Sequence, residues 1–253
     1  MKRRQLLGYA GAGLVTSLVT GLPFPVDAKS SASLSIQWLG HTCFLFTGGG
    51  IRVLVNPFRT LGCTAKYRPP KVAADLVLIS SQLLDEGAVD GLPGSPKLIY
   101  EPGVYEFSGI KFQGVAIAHD RKGGRQFGNN TAWRWQQAGI KIVHLGGAAA
   151  PISIEQKILM GSPDVALIPV GGGVKAYNAA EAKQAMQVLN PKITIPTHYR
   201  TAAADTACDI SPVDDFLNLM QGVAISRSSG DSITLSSNKL PANPTVQTLS
   251  YKF

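Results

Sequence analysis

The sequence lacks the signatures of several common protein classes, and these absences reduce the number of functions to consider. No Gly-x-Ser-x-Gly segment is present, which argues against a serine hydrolase with a nucleophile elbow. Gly171-Gly172-Gly173 is not followed by the Gly-Lys-Ser/Thr of a phosphate-binding loop. Internal repeats and low-complexity tracts are also missing, so the sequence does not predict a repeat architecture or a disordered chain.

Two further absences concern partners. After residue 28 no apolar run is long enough to cross a bilayer, so a transmembrane segment in the mature chain is not expected. The lysines and arginines behind the net charge of +8 are scattered and carry no interleaved aromatic residues, so a nucleic-acid partner is not expected either. What is present, 253 residues of which 45% are hydrophobic, predicts one globular domain with a sizeable core.

Residues 1–28 have the pattern of an export signal. Lys2-Arg3-Arg4 precedes a weakly apolar, glycine-rich stretch, and Val26-Asp27-Ala28 follows as the end of the signal. The paired arginines favour the twin-arginine route, although the usual serine or threonine before them is missing. The sequence therefore predicts an exported protein, with a cytosolic amphipathic N-terminus as the alternative.

Apolar periodicity divides the mature chain into a strand-rich half and a half that contains helices. Before Pro151, short alternating or buried runs predict strands, with a short helix between the fourth and the fifth. These strands are Ser35–Leu39, Cys43–Phe46, Arg52–Val55, Leu76–Ser80, Lys97–Tyr100, Gly109–Ala118, Thr131–Gln136 and Ile140–Leu145. After Pro151 we predict a helix striped by Ile154, Ile158 and Leu159, a second over Ala179–Leu189 capped by Asn178, and a third over Pro212–Met220. Strands at Val165–Val170 and Ile193–Pro196 alternate with them, and Val223–Ser226 and Ser232–Leu235 are expected to close the second sheet of a two-sheet sandwich.

The segment Ala74–Gly87 has the shape of a metal-binding strand-to-helix turn from which the histidines are missing. It reads Ala-Asp-Leu-Val-Leu-Ile-Ser-Ser-Gln-Leu-Leu-Asp-Glu-Gly. The four histidines stand elsewhere, in Trp38-Leu39-Gly40-His41, Ala116-Ile117-Ala118-His119-Asp120, His144-Leu145-Gly146-Gly147 and Ile195-Pro196-Thr197-His198-Tyr199. Together with Val55-Asn56-Pro57-Phe58 and Ala166–Gly173, these motifs resemble, in unbroken order, the ascorbate-phosphate-lactonase-like branch of the metallo-β-lactamase superfamily.

The resemblance implies an α+β fold, the αββα four-layer sandwich of the metallo-β-lactamase type. We expect this domain over residues 29–240, followed by a polar C-terminal tail over residues 241–253. The resemblance also implies zinc-dependent hydrolases as relatives. In that superfamily a strand ending in His-x-His-x-Asp-His, with further histidines and a bridging aspartate, binds two zinc ions.

Most of those ligand positions are degenerate in this chain. On the matching positions Ser81, Leu83 and Glu86 replace histidines, and Gly147 replaces the bridging aspartate. What remains is His119 for one metal, and Asp85 with His198 for the other. Because zinc takes four ligands, the resemblance predicts neither a dinuclear centre nor a resident cofactor. The alternative is one Zn²⁺ or other divalent metal bound by Asp85, Glu86 and His198.

The remaining histidines are interpreted as parts of a vestigial pocket. Without a metal, His198 is expected to pair with Asp85, because a buried carboxylate needs a compensating charge. His41 and His144 are not direct ligands in the family pattern. We expect them near the floor of the pocket, bonded to the backbone or a carboxylate.

Two loop features lie beside the expected pocket. Cys63 and Cys208 are in loops that the resemblance places on the edge bearing the site, and an oxidising compartment permits a disulfide between them. Cys43 lies in an apolar strand and is interpreted as a buried thiol. A basic cluster directly after His119 would lie at the rim, where it could clamp an anion: Arg121, Lys122 and Arg125.

Two functions remain open at this point. The ligand count favours an exported pseudoenzyme, a hydrolase-like protein that binds a small molecule or a protein partner without catalysis. The alternative is a divergent hydrolase, in which one metal at Asp85, Glu86 and His198 activates water to cleave a lactone, amide or phosphoester. Residues 61–70 resemble an insertion of cyanobacterial members, which indicates the periplasm or the thylakoid lumen as the destination.

Overall fold

The computed structural model describes residues 33–251 and residue 253, so the predicted export signal at residues 1–28 lies outside the described residues. The strands in this part of the chain are β1 (Ser33–Gly40), β2 (Cys43–Gly48), β3 (Ile51–Val55), β4 (Leu76–Leu78), β5 (Lys97–Ile99), β6 (Gly103–Phe107), β7 (Ile110–Ala118), β8 (Asn129–Gln137), β9 (Ile140–His144), β10 (Val165–Pro169), β11 (Ile193–Thr197), β12 (Ala224–Arg227), β13 (Ser232–Ser236) and β14 (Thr245–Thr248). The α-helices are α1 (Ile154–Met160), α2 (Ala179–Leu189) and α3 (Asp214–Leu217). None of the helices in the described ranges has the length and apolar character needed to cross a membrane.

Six strands form the first sheet, in the order β13, β1, β2, β3, β4, β5. Strands β1 to β3 are antiparallel, and β3 to β5 run parallel. The hairpin between β2 and β3 is closed by Gly49 and Gly50, whose φ values of 58° and 83° suit the left-handed turn that a two-residue hairpin needs. Alternation in β1 directs Leu34, Ile36 and Trp38 into the core.

Eight strands form the second sheet, in the order β12, β14, β11, β10, β9, β8, β7, β6. Strands β6 to β9 are antiparallel, whereas β9, β10, β11, β14 and β12 run parallel. Helix α1 packs on β7 and helix α2 on β10. Asn178 caps α2 as predicted, because its side-chain oxygen accepts the Glu181 backbone N–H at 3.0 Å.

The apolar core lies between the two sheets and is rich in aromatic side chains. Phe46 of the first sheet meets Trp135 of the second edge to face, with ring centroids 4.9 Å apart. Trp133 is 0% exposed and donates its indole N–H to the Ile79 carbonyl at 3.1 Å. Since Ile79 directly follows β4, this hydrogen bond joins the sheets beside the loop that carries Asp85.

This arrangement confirms the predicted α+β sandwich, with several local differences, of which three concern its layout. The segment between β4 and β5 consists of turns and contains no helix. Strand β13 pairs with β1 in the first sheet and not in the second. Residues Thr245–Thr248 form β14 between β11 and β12, so the domain extends past residue 240 into the predicted tail.

The reason for the third difference is visible in the burial of β14. Its four residues alternate, with Val246 0% and Thr248 7% exposed, which is the period of a strand with one face inward. Polar residues and prolines around this short run conceal the pattern in the sequence. Helix α3 is also shorter than its predicted span of Pro212–Met220, and its N-cap residue Val213 provides no side-chain cap.

The predicted disulfide between Cys63 and Cys208 is confirmed. It joins two loops that also share backbone hydrogen bonds, from Lys66 N–H to the Ala203 carbonyl at 2.9 Å and from Asp205 N–H to the Gly62 carbonyl at 3.1 Å. Cys43 is a free, buried thiol, as expected. The loop after β11 is therefore braced against the loop after β3.

Candidate metal centre

One edge of the sandwich collects the polar side chains that the sequence singles out. At this edge several strands end, and the carboxyl ends of neighbouring parallel strands are where α/β proteins bind ligands. His41 follows β1, residues 80–86 follow β4, His119 follows β7, His144 ends β9, Lys175 lies in the turn after β10, and His198 follows β11. These side chains form two adjacent clusters.

The first cluster consists of His41, Asp85 and His198. One candidate ligand atom from each residue lies within 4.8 Å of the other two, and the two imidazole rings have centroids 4.4 Å apart. The His41 carbonyl accepts the His198 backbone N–H at 3.4 Å, so the two strand ends hold each other. Both histidines have left-handed backbone, with φ of 52° and 51°. Such backbone costs about 1–3 kcal/mol per residue and is concentrated at functional sites.

The imidazoles of this cluster carry nitrogens that lack hydrogen-bond partners. Among the described residues nothing pairs with either ring nitrogen of His41 or with Nδ1 of His198, although the two residues are only 2% and 4% exposed. Burial lowers the pKa of His41 to about 4, with Asp85 opposing the shift. Burial and the neighbouring His41 lower the pKa of His198 well below its usual range. Both imidazoles are therefore neutral at pH 7, which is the form that binds a metal ion.

Asp85 forms an ion pair with Lys175, and the predicted pairing with His198 is wrong. The Lys175 Nζ lies 2.5 Å from Asp85 Oδ2, and each side chain is 25% exposed. Burial raises the pKa of the Asp85 carboxyl, but the Lys175 ammonium and His41 lower it more, so that the pKa is held at about 2. Lys175 thus supplies the compensating charge that had been assigned to His198.

The second cluster consists of Glu86, His119 and Ser81. Ser81 donates its hydroxyl to Glu86 Oε2 at 3.0 Å, and His119 Nε2 lies 3.5 Å from the same oxygen. His119 Nδ1 bonds to the Gly147 carbonyl, which can only accept, so Nδ1 carries the hydrogen and Nε2 faces the carboxyl. Burial raises the pKa of Glu86, with His119 opposing the shift. Glu86 therefore lies apart from the set of Asp85 and His198 to which the sequence interpretation had assigned it.

Position 147, where the family pattern has a bridging aspartate, has no room for a side chain. A Cβ at this position would collide with the His119 ring and would lie 3.0 Å from Glu86 Oε1. Leu83 contributes backbone groups to this cluster, because its N–H donates to the Ser81 hydroxyl at 3.4 Å and its carbonyl accepts the Glu86 and Gly87 N–H groups at 3.0 and 2.7 Å. The His119 ring and the Glu86 carboxyl group therefore lie where a side chain at position 147 would extend.

His144 is bonded to the backbone below the two clusters. Its Nε2 donates to the Thr42 carbonyl at 3.0 Å, and its Nδ1 accepts the Gly146 N–H at 3.1 Å. Burial lowers its pKa to about 4, although the bond to Thr42 opposes the shift. Both ring nitrogens of this neutral imidazole are satisfied, so His144 holds the backbone and does not offer a ligand atom.

The basic cluster after His119 is built differently from the predicted anion clamp. Arg121 donates to both carboxylate oxygens of Glu181, at 2.8 and 2.7 Å, and to the Gly173 and Ala176 carbonyls at 2.8 and 2.9 Å. Its guanidinium therefore binds four oxygen atoms of the protein itself. Lys122 and Arg125 are exposed, and Arg125 donates to the Lys122 carbonyl at 2.9 Å.

Comparison with known proteins places this site in a family. Residues 35–198 match a family model described as a beta-lactamase superfamily domain. The chain belongs to the beta-lactamase superfamily. A metal-dependent hydrolase of Thermoplasma acidophilum is 27% identical over 196 residues, which are 67% of this chain and 84% of the relative. A metal-dependent hydrolase of Thermococcus onnurineus is 28% identical over 193 residues, 66% of this chain and 85% of the relative.

A solved structure of the same superfamily has a similar fold. It is a candidate zinc-dependent hydrolase of Thermotoga maritima, 30% identical, with a TM-score of 0.69. The match covers 86% of this chain and 100% of the Thermotoga chain. The predicted superfamily and its fold are thereby confirmed, while the assignment to the ascorbate-phosphate-lactonase-like branch stays a prediction.

Among the described residues, one set of donor atoms in this superfamily member has the arrangement that a divalent cation needs. His41, Asp85 and His198 provide two neutral imidazoles and one ionised carboxylate with unpartnered nitrogens between them, which is a set that divalent metals accept. The second cluster provides only His119 and Glu86, which already face each other. The structure groups His41, and not Glu86, with Asp85 and His198, while the assignment of Glu86 as a ligand stays a prediction.

Two residues of the site were missed by sequence reasoning. His41 was set aside as a buried core histidine, yet it directly follows Gly40 at the end of β1, a strand-end position from which a side chain can reach the edge. Lys175 follows the Gly171–Gly173 turn after β10, at the same edge. A lysine in such a turn carries no signal of its own, because lysines in loops are usually solvated.

Proposed function

We propose that this chain is a metal-dependent hydrolase that works with a single divalent cation held by His41, Asp85 and His198. One observation carries the proposal, namely that two buried imidazoles and one partly buried carboxylate from three separate segments converge, while three of the imidazole nitrogens lack partners. Leaving buried polar atoms unpaired costs free energy, and a fold retains such groups where a ligand uses them. The relatives named as metal-dependent hydrolases support the same function.

A divalent cation in this position supplies a Lewis acid that polarises a substrate oxygen and lowers the pKa of water. The chain's own residues contribute position and proton transfer. His41 and His198 are fixed by left-handed backbone and by the bond between their main chains. The neighbouring Glu86–His119 pair has an imidazole nitrogen facing a carboxyl group, an arrangement that can hold a proton and move it within the pocket.

This chemistry indicates the type of bond that is cleaved and does not specify an individual substrate. Lewis-acid activation of water suits the cleavage of a lactone, an amide or a phosphoester, and we propose a small molecule of one of these classes. The non-catalytic interpretation depended on too few ligands. Inclusion of His41 raises the number of protein ligands for one ion to three, which is the number in many catalytic zinc sites with an open position.

We further propose that the protein functions outside the cytoplasm, in the periplasm or the thylakoid lumen. The N-terminal pattern at residues 1–28 motivates this destination. The Cys63–Cys208 disulfide supports it, because such bonds persist in oxidising compartments. Fractionation of cells expressing the full chain, followed by thiol labelling, tests the idea. A cytosolic protein with free Cys63 and Cys208 thiols would contradict it.

The decisive experiment for the catalytic function measures metal content and hydrolysis together. The untagged protein is purified without chelator, equilibrated with zinc and dialysed, and the bound metal is determined by plasma mass spectrometry. We expect about one ion per chain, and metal-dependent hydrolysis of at least one ester, lactone, amide or phosphoester in a chromogenic panel. His41→Ala is expected to lose both the ion and the activity.

Two outcomes would overturn the proposal. Two stoichiometric ions per chain would mean that the second cluster also binds a metal and that its geometry has been misjudged. A protein that binds no ion after equilibration would return the function to a non-catalytic binding protein. Retention of a full equivalent of metal by His41→Ala would remove His41 from the ligand set.

A further inference from the structure

The Lys175–Asp85 ion pair is the feature of the site that the hydrolytic proposal does not use. The ammonium lies 2.5 Å from one carboxylate oxygen of Asp85. Asp85 is also a member of the cluster whose ligand atoms converge within 4.8 Å. The Lys175 ammonium is therefore in contact with the single carboxylate of the proposed metal-binding set.

The backbone that carries Lys175 is held in place from several sides. Gly172 and Gly173 have φ of 78° and 75°, which lets the chain turn sharply after β10. The Gly172 N–H donates to the Tyr177 carbonyl at 2.8 Å, and the Tyr177 N–H donates to the Ala148 carbonyl at 2.9 Å. The turn therefore has one geometry over residues 172–177.

Arg121 fixes the same turn from outside. It donates to the Gly173 and Ala176 carbonyls, on either side of Lys175, and its remaining N–H groups bind Glu181 at the start of α2. A planar guanidinium with two carbonyl and two carboxylate partners is a rigid clamp. The position of Lys175 opposite Asp85 is thus set by the fold, while its long side chain keeps the freedom to withdraw.

Charge explains why the ammonium is directed at Asp85. The carboxylate lies beside two buried imidazoles that are neutral, so it has no other cation among its described neighbours in the cluster. An uncompensated carboxylate in such surroundings is costly. A divalent cation bound by the cluster would satisfy the same carboxylate, and two cations close to one carboxylate repel each other.

We propose that Lys175 is a built-in competitor for the metal. Its ammonium binds Asp85 in the metal-free protein and leaves Asp85 when a divalent cation enters between His41, Asp85 and His198. The residue thereby sets how tightly the site binds metal. This inference rests on the single-metal function proposed above.

The test compares zinc binding by three metal-free proteins in isothermal titration calorimetry at one pH and one ionic strength. The proteins are the wild type, Lys175→Met and the control Lys192→Met. Lys192 is a matched control because it forms a Lys–Asp pair with Asp164, at 3.0 Å, beside the opposite end of β11. We expect one site in each protein, at least tenfold tighter in Lys175→Met than in the wild type, and unchanged in Lys192→Met.

A second measurement needs no substitution and remains informative if Lys175→Met does not fold. The wild-type protein is acetylated at limiting reagent with and without zinc, and the modification of each lysine is quantified by mass spectrometry. Zinc is expected to raise acetylation of Lys175 several-fold, because a lysine released from Asp85 can lose its proton to the buffer and react as the neutral amine. Acetylation of Lys192 is expected to stay constant.

The outcomes separate this inference from the function on which it rests. If the wild type binds one ion but Lys175→Met binds it equally or more weakly, the competitor role is overturned and the single-metal hydrolase stands. Constant acetylation of Lys175 on zinc binding has the same meaning. If neither protein binds zinc, the proposed function fails together with the inference.

Discussion

The two clusters at the sandwich edge contain similar side chains and differ in what those side chains face. In the His41–Asp85–His198 cluster both ring nitrogens of His41 and Nδ1 of His198 have no partners, and the carboxylate is ionised. In the Glu86–His119 cluster the carboxyl and the imidazole face each other and a serine hydroxyl donates to the carboxyl. Neighbouring residues of one loop, Asp85 and Glu86, thus serve opposite purposes. In the first cluster the donor atoms converge on one point, whereas in the second His119 and Glu86 face each other, although His119 Nε2 and Glu86 Oε1 also lack hydrogen-bond partners.

The largest expected difference between the clusters is in metal affinity. Asp85→Asn removes the only carboxylate of the first cluster and leaves the Lys175 ammonium uncompensated, so zinc affinity should fall by more than about 100-fold. Glu86→Gln should change it by no more than about threefold, because Glu86 is not a ligand. Calorimetric titration measures both. A strong loss in Glu86→Gln would restore Glu86 to the ligand set.

The next effect concerns the Cys63–Cys208 disulfide, which joins the loop after His198 to the loop after β3. Replacing Cys63 and Cys208 by serine removes a crosslink over a separation of 145 residues, and we expect the free energy of unfolding to fall by about 2–4 kcal/mol. Urea unfolding monitored by tryptophan fluorescence provides the value. The loop after β11 carries the strain of a left-handed His198, so zinc affinity should also weaken by a few-fold.

The matched control for the disulfide is the third cysteine. Cys43→Ala deletes one buried sulfur and leaves the loops crosslinked, so it should not change zinc affinity. Equal losses of zinc affinity in the serine double variant and in Cys43→Ala would show that the disulfide does not brace the site.

A smaller effect tests how tightly the second cluster is packed around Gly147. Gly147→Ala places a methyl group against the His119 ring and Glu86, and overpacking of this kind costs about 1–3 kcal/mol of unfolding free energy. Gly230→Ala is the control, because its added Cβ would meet only the Ser228 hydroxyl at 3.9 Å. Urea unfolding of both variants measures the difference. Equal stability of the two would mean that the pocket around Gly147 has room.

The smallest effect is a difference between Asp85 and Glu86 in how each changes the free energy of unfolding with pH. The pKa of Asp85 is about 2 in the fold, against 3.8 ordinarily, so its stabilising contribution is present above pH 3.8 and is lost as the pH falls towards 2. The pKa of Glu86 is raised by burial, so its contribution is present below pH 4.5 and is lost as the pH rises through the folded-state pKa. Each slope amounts to at most about 1.4 kcal/mol per pH unit.

Unfolding free energies of the metal-free proteins between pH 2 and pH 8 check these signs. Asp85→Asn should flatten the acidic limb, and Glu86→Gln should flatten the limb above pH 4.5. If both variants altered the same limb, the two carboxyl groups would not differ in the way their surroundings indicate.

The sequence allowed the sandwich and much of the site to be predicted, for local reasons. Alternating runs such as β1 and β7 reveal which face of a strand is buried, and the order of the histidine motifs supplies the superfamily. The disulfide was predictable because the family resemblance places both loops at one edge. The pairing of β13 with β1 was not, because it depends on partners about two hundred residues apart along the chain.

The direction of side chains within the site was harder to predict. Asp85 and Glu86 are adjacent in the sequence, yet the turns between β4 and β5 direct them into different clusters, and no periodicity applies in turns. Lys175 reaches Asp85 only because Arg121 and two glycines shape its loop, and these contacts come from three separate segments. Convergence of this kind is a property of the tertiary structure.

Strand β14 has a consequence for how the protein is made. It lies between β11 and β12, and β11 ends at His198. The second sheet cannot close until residues 245–248 have emerged from the ribosome. Until residues 245–248 join, β11 has only β10 as a neighbour in the sheet, so the support of the strand that ends at His198 depends on a segment far along the chain.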